Sequence, residues 1–240
     1  MANNIIDFFN QYFEVIPATT DELKNEVFKL RYQVFCVETQ IFNPDEYPDQ
    51  LEIDIFDQRA VHYLIRHRQS GAYAASTRFI LPDANNPEQL FPLELHCKID
   101  NLEAMQGIDR RSLGEASRLC VSKTFKKRKN EEHSLINIDT DWKGHFTPQE
   151  RRVFPHISFA LIACMIKACH NNNIEYAFST LEPAWYRLLS SSGIHFTKIG
   201  PLVDYSGLRW PGLIKVTDLL NGVAEKNMDI WNLLTNKGRY

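Results

Sequence analysis

Four short stretches set charged residues among apolar ones. They are Leu30-Arg31-Tyr32-Gln33-Val34-Phe35, Glu52-Ile53-Asp54-Ile55-Phe56-Asp57, Ser76-Thr77-Arg78-Phe79 and Glu115-Ala116-Ser117-Arg118-Leu119-Cys120-Val121. An arginine drawn into a folded interior is costly unless a carboxylate accompanies it. Arg31, Arg78 and Arg118, set against Asp54, Asp57 and Glu115, can neutralise one another. Such a network either presents charge to a polar substrate or only holds elements together. A basic run follows the fourth stretch: Lys123, Lys126, Lys127, Arg128 and Lys129. It suits an acidic partner, or it is a solvated loop.

Other chemistries find less support. His133, His145 and His156 have no recognisable ligand spacing, so no metal is expected. Cys36, Cys97, Cys120, Cys164 and Cys169 lie in apolar sequence without a Cys-x-x-Cys pair, which reads as reduced core thiols in a cytoplasmic protein. No histidine close in sequence would activate Cys120 as a nucleophile. The net charge of −3 disfavours a nucleic-acid partner. The opening residues lack the features of a signal peptide, and no uncharged run reaches the roughly 18 residues of a membrane span.

These residues must be positioned by a mixed α/β fold. Residues 5–12 read as a short helix and 12–17 as a strand. Thr20 or Asp21 caps a helix with apolar positions at Leu23, Val27, Leu30 and Val34. Residues 42–57, rich in Pro and Asp, read as a loop. Residues 60–67 and 72–81 form a hairpin around Gln69-Ser70-Gly71. Residues 113–121 read as a central strand. Residues 122–152 are long for a structureless loop, so they are functional or hold a small helix. Residues 154–170 read as a buried helix with Ile157, Leu161, Cys164 or Met165, and Ala168 on one face. Residues 174–180 are a strand, and 183–192 a short helix ended by Gly193. Residues 194–216 carry a strand or hairpin broken at Ser206-Gly207 and Pro211-Gly212. Residues 218–235 close with one helix.

In this order and spacing the four stretches resemble acyl-homoserine lactone (autoinducer) synthases of the GCN5-related N-acetyltransferase (GNAT) superfamily, with their R-x-x-x-F, D-x-x-D, S-x-R and E-x-S-R-x-C-V patterns. The resemblance spans about residues 13–216 and extends to N-acyl amino acid synthases. The expanded 122–152 region is more similar to acyltransferases associated with PEP-CTERM/exosortase systems. The resemblance implies a single GNAT-like domain over residues 1–240, three-layered αβα, with a central mixed and splayed sheet.

The same resemblance implies transfer of a medium or long acyl chain from an acyl-carrier-protein or coenzyme A thioester to the amine of an amino acid or related small amine. No tightly bound cofactor is implied. Contact with membrane would come only through a lipid product. Alternatives are a signal synthase that uses S-adenosylmethionine, and a non-catalytic acyl- or carrier-binding module. Glu115 is the implied base, with Arg31, Asp54, Asp57, Arg78 and Arg118 as the polar set around it. Backbone N–H groups at Leu119, Cys120 and Val121 would hold the thioester carbonyl. Lys123, Lys126, Lys127, Arg128 and Lys129 would meet donor phosphates or the carrier protein. The superfamily's Gly-rich phosphate loop is missing there. Phe42 stands nearest the place where lactone synthases carry a tryptophan. Tyr186 lies too early for the superfamily's leaving-group tyrosine, which leaves the general acid unassigned. Glu115 and Arg118 are three residues apart, so a regular strand would point them to opposite faces. A β-bulge would bring them to one side, and the resemblance implies such an irregularity between Glu115 and Leu119.

Overall fold

The computed structural model describes residues 5–126 and 146–240. It begins with helix α1 (Ile5–Tyr12), which buries Ile6 and Phe9, and strand β1 (Phe13–Pro17). Helix α2 (Asp21–Tyr32) starts where the Thr20 hydroxyl accepts from the Leu23 N–H at 3.3 Å. It widens into a π-helical turn over Gln33–Glu38, a form that recurs near functional sites. Strands β2 (Ala60–His67) and β3 (Tyr73–Ile80) form the expected hairpin. Helix α3 (Pro92–His96) and strand β4 (Leu113–Val121) follow.

The second half opens with helix α4 (Pro148–Val153), the small helix allowed for in the long polar region, of which residues 127–145 lie outside the described residues. Next come α5 (Ile157–Asn171), β5 (Tyr176–Leu181) and α6 (Pro183–Ser191). Short strands β6 (Thr197–Lys198) and β7 (Val203–Asp204) lead to β8 (Leu208–Lys215), α7 (Val216–Lys226) and α8 (Met228–Thr235).

The strands make one mixed sheet in the order β1-β2-β3-β4-β5-β8-β6, with β7 paired to β8. Only β4 and β5 run parallel, and their pairing covers just Leu113–Glu115 against Tyr176–Phe178. Past Glu115 the two strands share no ladder, which is the expected splay. One face of the sheet is covered by α1, α5 and α8 in the main core. The other carries α2, which buries Val27, Phe28 and Leu30 with Leu64 and Cys120, and α3, which buries Leu93 with Phe91, Leu113 and Phe178. The architecture is the three-layered, GNAT-like one.

Helix α5 is the buried helix expected, Phe159, Ala160, Ile162 and Ile166 included, because the sheet, α1 and α8 enclose it. Two expectations need correction. Pro211-Gly212 does not break the last strand. Both lie inside β8, opposite Thr180 and Ser179, and Gly212 has no room for a Cβ against the Leu181 side chain at 2.8 Å. The closing segment is two helices rather than one, because Asn227 leaves helical geometry and caps α8 through its side chain.

Residues 148–171 also form a helical stretch long and apolar enough to cross a membrane, but 67% of its apolar window is buried inside the protein.

Candidate active site

Asp54 and Asp57 each serve two purposes. Asp54 Oδ1 accepts from the Phe56 N–H at 2.9 Å, and Asp57 Oδ2 accepts from the Asp54 N–H at 2.8 Å. This reciprocal cap builds the turn Ile55–Arg59 and aims the other carboxylate oxygens at arginines. Arg31 donates to Asp57 through Nη1 at 2.7 Å and Nη2 at 3.2 Å, and through Nε to Glu52. Arg78 donates through Nη1 to Asp54 at 2.5 Å and Asp57 at 3.0 Å, and through Nε to the Ser117 hydroxyl at 3.0 Å. Arg118 donates to Glu52 at 3.0 Å and to Asp54 at 3.0 Å.

The network is therefore Arg31, Arg78 and Arg118 against Glu52, Asp54 and Asp57. Arg31, Arg78 and Glu52 are fully buried. Burial works against ionisation of Asp57, yet the charges of Arg31 and Arg78 outweigh it and hold its carboxyl well below the usual range. Burial likewise opposes the charge on Arg31, but Glu52 and Asp57 raise its pKa overall. His62, packed edge-on to Phe28, is pushed down to about 4 by burial and stays neutral beside this network.

Glu52 is the member that sequence reasoning missed. It stands in the quoted Glu52–Asp57 stretch, but nothing in that stretch distinguishes a buried carboxylate from an exposed one. From the sequence, Glu115 is the third acid set against the arginines. The structure corrects this: Glu115 forms no ion pair with Arg118 and accepts instead from the Leu93 N–H at 2.9 Å. Glu115 is 2% exposed, and burial pushes its carboxyl up to about 7. The Leu93 N–H and the charges of Arg78 and Arg118 only partly offset that effect.

The expected bulge is present. Ser76 pairs with Cys120 and Arg78 with Ser117, so Arg118 and Leu119 together oppose the single residue Thr77. Arg118 takes a left-handed backbone, φ 52°, uncommon for a side chain of this size. The irregularity turns Arg118 towards Glu52 and Asp54, and its guanidinium lies 4.9 Å from the Phe42 ring.

Glu115, Ala116, Ser117, Arg118, Leu119, Cys120 and Val121 line a cavity of about 550 Å³ at the splay. Phe35, Phe42, Pro92 and Tyr205 bound it beside Arg118 and Glu115, and Lys126, Ser158, Leu161 and Trp185 bound it elsewhere. An apolar annex between Leu119, Ile162, Met165, Leu181 and Trp185 holds only about 20 Å³, roughly one water.

Of the basic run, Lys126 reaches the cavity. Lys123 is exposed, and its N–H is bound by the Glu38 carboxylate at 2.8 Å. Lys127, Arg128 and Lys129, with His133 and His145, lie outside the described residues. Cys120 is a buried thiol pushed up to about 11 by burial, which makes a poor nucleophile. Tyr186 does not line the cavity; its ring packs edge-on against Trp210 at 5.6 Å.

Residues 30–135 match the family model of the acetyltransferase (GNAT) domain. None of the curated proteins matches the chain in sequence. Among solved structures, TofI in a ternary complex with an inhibitor and MTA is 14% identical, with a TM-score of 0.56, over 89% of this chain and 96% of that one. The CoA-dependent acyl-homoserine lactone synthase BjaI with SAM and isopentyl-CoA is 15% identical, with a TM-score of 0.57, over 95% and 89%. FeeM, an N-acyl amino acid synthase from uncultured soil microbes, is 12% identical, with a TM-score of 0.56, over 90% and 97%. At these identities the likeness establishes a shared fold.

Proposed function

We propose that the protein is a GNAT-type N-acyltransferase. It moves a medium or long acyl chain from a carrier-protein or coenzyme A thioester to the amine of an amino acid or related small amine, in the cytoplasm. The observation that carries this reading is Glu115: a buried carboxyl at a cavity, with a pKa of about 7. Such a group is half ionised near neutral pH and can take a proton from an attacking amine. Beside it, the bulge and the splay free the strand edge at Leu119–Val121 from pairing with β5. N–H groups there are available to a thioester oxygen. The match of residues 30–135 to the GNAT domain supports acyl transfer as the reaction class.

An acyl chain that extends from the cavity into the annex must displace Leu119, Met165 or Trp185. Each methylene then buried contributes about 0.8 kcal/mol. The association with PEP-CTERM/exosortase systems belongs to this proposal and rests on the length of the 122–152 region.

The test is release of free thiol from an acyl thioester only when amine is added. Mass spectrometry of lipids from overexpressing cells then reads chain and acceptor together. Thioester binding without amine-dependent release would make the protein a binding module. A lactone product formed from S-adenosylmethionine would make it a signal synthase.

A further inference from the structure

We propose that Arg209 is the anchor for a carboxylate on the acceptor, so that the cavity takes amino acids in preference to uncharged amines. The inference rests on the acyl-transfer reading above. Among the described residues the cations that line the cavity are Arg118, Lys126 and Arg209. They are not equally free to take a new anion. Arg118 is already shared between Glu52 and Asp54, inside a network whose three arginines meet three acids. Lys126 follows β4 and belongs with the basic run. Arg209 stands across the splay, beside the end of β5, and its carboxylate partner is Glu182 at 3.1 Å. Glu182 lines the same cavity, and its side chain is 55% exposed.

The guanidinium is fixed before any ligand arrives. Arg209 donates through Nε to the Tyr205 carbonyl at 3.0 Å and through Nη2 to the Ser206 carbonyl at 3.1 Å. Those carbonyls belong to the tip of the β7–β8 hairpin, where Ser206 at φ 54° and Gly207 at φ 100° make the turn. The tip is itself braced, because the Tyr205 ring lies flat on His96 of α3 with centroids 4.5 Å apart and planes 14° apart. These bonds use Nε and Nη2 and leave Nη1 without a partner among the described residues. An arginine fork held by backbone loses little freedom when it binds a carboxylate at two points.

Glu182 holds the place of the substrate's carboxylate. It begins helix α6, yet its side chain caps no N–H there, so Arg209 is its one contact among the described residues. A half-exposed ion pair contributes little, so Glu182 returns to water at small cost when a substrate carboxylate replaces it. Arg209 keeps one counter-charge throughout the exchange. An uncharged acceptor offers nothing to exchange and leaves Glu182 in place. The acceptor's carboxylate then rests on Arg209 while its amine faces Glu115 across the same cavity.

The test screens the common amino acids for amine-dependent thiol release and compares the best acceptor with its primary amide. The amide keeps the size and the amine but loses the charge. Its amine is also more acidic, so the quantity to follow is how the acid-to-amide ratio of kcat/KM changes between proteins. In Arg209→Gln that ratio should fall by about 10-fold or more, through a higher KM for the acid and with little change in kcat. In Glu182→Gln, which removes the competing carboxylate, the acid's KM should fall several-fold while the amide's stays put. A pair that only fastens the hairpin would alter acid and amide alike, and an unchanged ratio in either variant overturns the proposal. If Arg209→Gln does not fold, Glu182→Gln decides alone, because that side chain supports nothing else in the fold. Wild-type protein that releases no thiol with any acceptor, acid or amide, would instead end the acyl-transfer reading itself.

Discussion

Glu115 is where charge, burial and chemistry meet, and its pKa makes opposite demands on rate and stability. Its carboxyl holds a proton up to about pH 7 in the fold, against an ordinary value of 4.5. Between those values the native state binds more protons than the unfolded chain, so stability falls as pH rises through the window. Glu115→Gln keeps an acceptor for the Leu93 N–H and carries no charge. We expect it to gain on wild type by up to about 3 kcal/mol between pH 5 and pH 8, read from urea unfolding at both. Its kcat should fall by about 10²–10⁴, with partial recovery at high pH where more amine is already neutral. A variant that unfolds more readily than wild type at pH 8 would show Glu115 to be a structural counter-ion. Arg118 tests the rest of the network. A double-mutant cycle between Arg118→Ala and Glu52→Gln should give a coupling of about 1–3 kcal/mol, because the two side chains are in direct contact. The Arg118 cycle with Glu115 should give less. The reverse order of couplings would place Glu115 in the network with Arg118.

At the level of elements, β4 carries the site because it breaks two rules of a regular strand. It leaves β5 after Glu115, and it bulges at Arg118. Its start is correspondingly tight: a Cβ on Gly114 would lie 2.5 Å from the Phe79 ring and 2.9 Å from the Ile80 carbonyl oxygen. Gly114→Ala should therefore destabilise the fold by about 1–3 kcal/mol in a urea titration. Because Glu115 is the next residue, its kcat should fall as well. An alanine variant with wild-type stability would mean that β3 yields easily here. On the far side of the sheet, α4 is fastened by Glu150. Its carboxylate caps Thr147 at 2.5 Å and meets His67 Nε2 at 3.1 Å within a cluster of Phe13, Phe125 and Phe146. The helix foreseen in the long polar region is thus held by a polar contact 83 residues apart in sequence, which no local pattern announces.

Over the whole molecule the charge is slightly negative, −3, so any attraction for an acidic donor must be local to the basic run. Lys126, Lys127 and Arg128 changed singly to alanine should raise the donor's KM, flatten its salt dependence and alter kcat less. An unchanged KM in all three would leave the run as solvated surface.

What the sequence alone determined are features that depend on neighbours along the chain. The Thr20 cap, the hairpin around Gly71, the strand at 113–121 and the Gly193 stop follow from local geometry and periodicity. The four charged stretches held the arginines and aspartates that form the buried ion-pair network. The bulge was expected from the spacing of Glu115 and Arg118 taken together with the family resemblance. Tertiary structure alone decided the partners. Glu52 and Glu115 are both acids in apolar stretches, but one meets Arg31 and Arg118 while the other meets a backbone N–H. Tyr205 gave no signal, because its place beside Arg118 depends on the β7–β8 hairpin folding back to the splay from the far side of β5. Pro211-Gly212 pointed towards a break, yet pairing with β5 on one side and β6 on the other kept the strand whole. A side chain's charge is written in its residue type, but its pKa and its partner are set by whatever distant chain is packed against it.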